Sequence, residues 1–238
     1  MEVAMRWWIV VAGWGLTACS GSPPAPANAV EPSLTGLRDF DAITLDSGDS
    51  VEVRQGADYA VRIEGPIEAR NRMSIRRDGN TLRIGRREHG LWTVDRGAVR
   101  IVVMMPVIRA ATLAGSGDVT IDQASDPFVA TLSGSGDMTI GQLQGDRTTL
   151  TVSGTGTIAA AGSVRAMTLT VTVTGSGDID ARQVQATEAV VSVTGSGDVA
   201  ATINGVARVS LVGSGSATLG PGARCVVQRV GTGEAHCG

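Results

Sequence analysis

The sequence predicts an all-β chain, a single-stranded parallel β-helix or β-solenoid with about 20 residues per coil and an irregular β-rich cap on its N-terminal side. Three observations predict it. A Gly-x-Gly turn recurs with its first glycine at Gly115, Gly134, Gly154, Gly175, Gly195, Gly213 and Gly231, a spacing that marks stacked repeats. Around each turn apolar and small polar residues alternate. Two places before the first glycine stand Leu113, Leu132, Val152, Val173, Val193 and Leu211, and four places after it stand Val119, Met138, Ile158, Ile179, Val199 and Ala217. The interleaved positions are mostly Thr, Ser, Ala and Asp, the pattern of strands with one buried face. Finally, aromatic residues are only 3% of the chain, so the interior is built from Val, Ile, Leu and Ala and is narrow.

Residues 1–18 read as an export signal rather than as structure. Arg6 precedes an apolar run from Trp7 to Leu16 that is too short to span a bilayer. The run ends in Leu16-Thr17-Ala18-Cys19, which resembles the lipobox of bacterial lipoproteins and implies lipidation of Cys19. Ser20 after the cysteine implies, by the same resemblance, transfer to the outer membrane. Residues 19–33, rich in Ser, Gly, Pro and Ala, cannot bury a core and form a tether.

Residues 34–109 alternate like strands but lack the clean period, and are expected to form irregular first coils that cap the solenoid. Ser47-Gly48-Asp49 looks like a degenerate copy of the later turn, and Asp78-Gly79-Asn80 is a hairpin signal. This segment is also basic. Its arginines are either a patch for anionic surface polymers or the solvated edges of strands. The overall charge of −3 and the scarcity of stacking aromatics do not indicate nucleic acid as a partner, and none is expected.

Residues 110–238 carry the regular repeats. In the last copy Arg229 stands where the column calls for an aliphatic residue, as a terminal repeat with no neighbour beyond it allows. Cys225 lies six residues before Gly231 and Cys237 six after it, so the two face each other across the last turn. In an exported protein that placement predicts a disulfide, contributing on the order of 3 kcal/mol.

The Gly-Ser-Gly-Asp turns, the strand Phe40-Asp41-Ala42-Ile43 and the step Met105-Pro106 together resemble the auto-transporter adhesin head GIN domain family over roughly residues 38–220. The resemblance implies a parallel β-helix exposed in the bacterial envelope, and it carries over no catalytic residue. In place of the membrane barrel of a true auto-transporter, a lipid anchor at Cys19 is expected.

Catalytic chemistry has little support in the residues. The histidines are His89 and His236, neither in a motif, and Cys225, His236 and Cys237 lack zinc-site spacing. No cofactor or metal is expected. Asp118 with Asp137, and Asp178 with Asp198, fall on adjacent coils about 4.8 Å apart, a spacing open to a bound cation or to paired acids. Three functions are open, in order of preference. The first is a non-enzymatic, lipid-anchored envelope protein presenting its solenoid as an adhesion or interaction surface to a protein or surface polysaccharide. The second is a periplasm-facing structural or envelope-stress partner protein, and the third a glycan-active β-helix enzyme. Oligomeric state has no signature in the sequence.

Overall fold

Alternation of aliphatic and small polar residues produces strands throughout the computed structural model, which describes residue 34 and residues 36–87, 97–160 and 164–238. The described residues belong to the compact unit Pro32–Gly238. The export segment 1–18, Cys19 with the whole tether 19–33, and His89 lie outside the described residues.

The chain does not stack its coils in sequence order at the start. Strands β1 (Ala42–Leu45) and β2 (Ser50–Gln55) form the first coil in sequence. The chain then runs through β3 (Ala60–Glu64), a short helix α1 (Ile67–Arg70), β4 (Met73–Asp78), β5 (Thr81–Arg86) and β6 (Arg100–Met105). Strands β5 and β6 pair in parallel beneath β1 and β2, while β4 and β3 close that end as antiparallel neighbours of β5 and β6. The hairpin between β4 and β5 turns at Gly79, whose φ of 60° suits a two-residue connection. After β6 the chain crosses back, and β7 (Ala110–Leu113) and β8 (Asp118–Ser125) pair on the other side of β1 and β2. The expected cap is therefore an inserted mixed region, and the first coil in sequence is an interior layer.

From β7 onward the stacking follows the sequence. One side of the solenoid consists of β7, β9 (Phe128–Gly134), β11 (Arg147–Gly154), β13 (Val164–Gly175), the second half of β14 (Asp178–Gly195), the second half of β15 (Val199–Gly213) and β17 (Arg224–Gly231). The other side consists of β8, β10 (Met138–Gln144), β12 (Thr157–Ala160), the first halves of β14 and β15, β16 (Ala217–Thr218) and β18 (Ala235–His236). All these pairings are parallel.

The sequence-aligned columns are the core. Leu132, Val152 and Val173 are fully buried one above another, as are Met138 and Ile158. Coil length varies without disturbing them. Between β14 and β15 the register shifts at Ala181/Gln185 and Ala186/Glu188, so the longer coil absorbs its extra residues at a bulge far from the glycine turn. The last coil lacks cover: Val227 is 44% exposed, whereas Val209, paired directly beneath it, is 2% exposed. Arg229 occupies the inward position above Leu211 and donates from Nη1 to the carbonyl of Gly233 at 3.2 Å. Beside it Cys225 and Cys237 form a disulfide across 12 residues, packed against the core.

Candidate interaction surface

Three features of the outer surface are built directly by the repeat: a turn edge, a weakly charged sheet face, and a groove at the junction with the cap.

The turn edge exists because glycine lets neighbouring coils touch. At Gly195, φ is 126° and an added Cβ would lie 2.1 Å from the carbonyl oxygen of Gly175 on the coil below. The close approach serves a hydrogen bond: the same Gly175 carbonyl accepts from the N–H of Ser196 at 2.8 Å. The equivalent bond repeats at Ser135, Thr155, Ser176 and Ser214, so the turns form their own coil-to-coil ladder. Their hydroxyls are exposed, and two pairs bridge successive coils, Thr155 Oγ1 donating to Ser135 Oγ at 3.1 Å and Ser196 Oγ meeting Ser214 Oγ at 3.1 Å.

The turn aspartates do bring carboxylates onto adjacent coils, and the structure gives each a backbone task. Asp178 Oδ1 accepts from the N–H of Asp198 at 2.8 Å, and Asp198 Oδ1 accepts from the N–H and hydroxyl of Ser216 at 2.8 and 2.7 Å. Asp137 Oδ1 accepts likewise from Thr157 N–H at 3.0 Å, and Asp118 Oδ1 meets Asp137 N–H at a long 3.4 Å. Asp is favoured here because the next coil presents an N–H that the sheet ladder does not reach. Where Thr157 replaces Asp, the N–H of Asp178 turns to the carbonyl of Gly156 at 3.2 Å instead. Among the described residues no three His, Cys, Asp or Glu side chains come together as a metal-holding group. His236 lies exposed near the chain end, with Nε2 3.4 Å from Glu234.

The second feature is the sheet face formed by β7, β9, β11, β13, β14, β15 and β17. Its outward residues stand one, three and five places before each first glycine. In the central column Thr112, Thr131, Thr151, Thr172, Ser192 and Ser210 stack in strict register. Across all three columns Arg208 is the only charged residue. Composition changes along the axis: the first coil is Ala110, Thr112 and Ala114, the second carries an exposed Val129 at 41%, the third and fourth are all Thr and Ser, and Val190, Val212, Val226 and Val230 are exposed on the last three at 43, 45, 61 and 70%. The opposite side differs, with Glu52, Asp122, Asp180 and Arg182 on its strands and corner.

At the cap, Asp49 takes a place that its motif does not announce. Ser47-Gly48-Asp49 is a turn copy, but slid by one residue: Ser50 pairs with Asp118, so Asp49 sits against Gly117 and points inward. Its carboxylate is fully buried. Arg86 of β5 donates to it through both Nε, at 2.8 Å, and Nη2, and the Val99 N–H and Ser47 hydroxyl add bonds at 3.0 and 2.9 Å. Burial pushes the Asp49 carboxyl upward, but the bonds from Arg86, Ser47 and Val99 outweigh it and hold it below its ordinary value. The basic segment is therefore not simply a free patch. Arg86 ties the inserted region to the first coil, Arg77 Nη1 donates to the Arg38 carbonyl at 2.8 Å, and Arg100 is bonded to Glu52.

That last pair borders an open groove of about 560 Å³ between cap and solenoid, lined by Ser50, Glu52, Arg100, Asp118 and Thr120. Hydrogen bonds from Arg100 and then Arg54 lower the Glu52 carboxyl.

Comparison with known proteins places these features in a family. The family model described as "Putative auto-transporter adhesin, head GIN domain" matches residues 39–220. Among solved structures, a "putative adhesin" from Bacteroides fragilis superposes with a TM-score of 0.74 at 19% identity, covering 84% of this chain and 93% of that one. A "putative lipid binding protein" from Parabacteroides distasonis gives a TM-score of 0.69 at 16% identity over 84% of this chain and 92% of that one. A "putative adhesin" from Parabacteroides merdae gives 0.59 at 17% identity, with the same coverages. At these identities the likeness is one of fold. No curated protein sequence matches the chain.

Proposed function

We infer a role from a plain premise: the chain belongs to the auto-transporter adhesin head GIN domain family. Its role is that of a non-enzymatic, lipid-anchored envelope protein whose solenoid is an adhesion or interaction surface. The observation that carries this reading is the turn edge, where Ser135, Thr155, Ser176, Ser196 and Ser214 are exposed at one-coil spacing beside exposed aspartates. A partner with its own repeat, such as a surface polysaccharide or an extended protein segment, can engage many such identical groups at once. Each contact is weak and the sum is strong, because every contact after the first is intramolecular.

Lipidation of Cys19 and export to the outer membrane complete the proposal, with residues 19–33 as the tether. The test is protease treatment of intact cells expressing the full chain. Cleavage in the tether is expected to release the folded solenoid into the medium, while Cys19→Ser is expected to move the protein out of the membrane fraction beforehand. A domain that survives on intact cells and is cut only after permeabilisation faces the periplasm. That outcome would replace the adhesin reading with a structural or envelope-stress role inside the envelope. Membrane association unchanged in Cys19→Ser would remove the lipid anchor.

A further inference from the structure

We propose that the weakly charged sheet face of β7 through β17 is covered by the same face of a second copy of this chain, the two solenoids lying side by side with each coil opposite its counterpart.

Charge is the first reason. Ordinary soluble surfaces carry charge at roughly a quarter to a third of positions. Here the three outward columns hold a single arginine, so a second copy laid on them would bury almost no charge. Arg208 lies in an outer column, from which its stem can rest on neighbouring valines while its guanidinium reaches the rim.

Area is the second. The strands contribute about 34 Å along the axis at ~4.8 Å spacing, and about seven residues each give ~23 Å across. The face is thus roughly 800 Å², the amount that each partner buries in a standard stable dimer. As a continuous sheet face it can pack on a second copy as aligned sheets about 10 Å apart.

The gradient along the axis decides both the partner and the orientation. A two-fold axis parallel to the solenoids brings each central column against itself and each outer column against the opposite outer column. The threonine and serine hydroxyls of the central column then face their own counterparts, and the exposed Val226 meets Val230 of the second copy. In the reversed arrangement the valines of the last coils would lie on the small residues around Ala110 and Ala114 of the first coil of this face, leaving their sides uncovered. Pairing this way leaves both turn edges outward. It goes beyond the adhesion reading without depending on it, and would double the number of edges presented.

The test is cysteine cross-linking of the full chain in its own envelope, since Cys225 and Cys237 are already joined. Single variants Thr172→Cys and Ser210→Cys place a thiol on the proposed axis, in the middle and near one end. Thr139→Cys, exposed on the opposite side, is the control. Mild oxidation is expected to give a homodimer band for Thr172→Cys and Ser210→Cys and none for Thr139→Cys. Adding Thr151→Glu, an outward position that faces itself across the axis, is expected to cut the dimer yield at least tenfold. Monomer from both face variants overturns the proposal, as does an adduct with a different protein. Cross-linking at Thr172→Cys without Ser210→Cys overturns the same-way arrangement, and an undiminished dimer with Thr151→Glu overturns the face as its site.

Discussion

Gly195→Ala is expected to destabilise the protein by about 3–5 kcal/mol, because strain and overlap act together at one atom. The backbone at Gly195 has φ of 126°, which an alanine adopts only with strain, and the new methyl would lie 2.1 Å from the Gly175 carbonyl oxygen. Relief would require the coils to separate where the Ser196 N–H now bonds that same oxygen at 2.8 Å. Ser196→Ala, one residue away and exposed, should change stability by less than about 0.5 kcal/mol. Urea denaturation of both variants checks this. Equal midpoints for the two would mean that the turns are not in backbone contact.

Asp49→Asn is expected to cost about 3 kcal/mol at neutral pH, the scale of a buried ion pair that loses one partner. The amide keeps the shape of the side chain but sets an N–H₂ against the donors of Arg86, Ser47 and Val99. The effect has a definite pH dependence. Since the folded carboxyl lies below the ordinary 3.8, its stabilisation is complete above that value and disappears as the pH falls through the folded value. Thermal unfolding of wild type and Asp49→Asn should therefore show a gap that is constant near neutrality and closes once the pH drops below 3.8. A gap unchanged down to strongly acid solution would show that the pair does not hold the inserted region to the first coil.

These two residues also mark where the fold can be read from sequence and where it cannot. Leu132, Val152 and Val173 are legible as one column because their spacing repeats and each stands at a fixed distance from a glycine that tolerates no side chain. Cys225 and Cys237 are legible for the same reason, being equidistant from Gly231. The first coil is not. Strands β1 and β2 share no period with their neighbours in sequence, since the inserted β3-to-β6 region comes next and their upper partners come only at Ala110 and Asp118. The motif alone misplaces Asp49 by one position, because Ser-Gly-Asp matches the repeated letters one residue out of step with the repeated geometry. Its partner Arg86 lies 37 residues away among other arginines and carries no local signal. The outward Thr and Ser of the surface are visible one by one. That they form one nearly uncharged plane becomes visible only when the strands are set side by side.

The stacking of glycine-marked coils is tested most directly by distance measurement between spin labels on the turn edge. With one label at Ser116→Cys and the other at Ser196→Cys, Ser214→Cys or Thr232→Cys, four, five and six coil steps separate the backbone sites by ~19, ~24 and ~29 Å. Pulsed electron resonance should therefore find three distances that lengthen by nearly equal increments of about 4.8 Å. Distances that fail to grow with each added copy, or that grow by unequal amounts, would contradict a solenoid in which every repeat lies on the one before it.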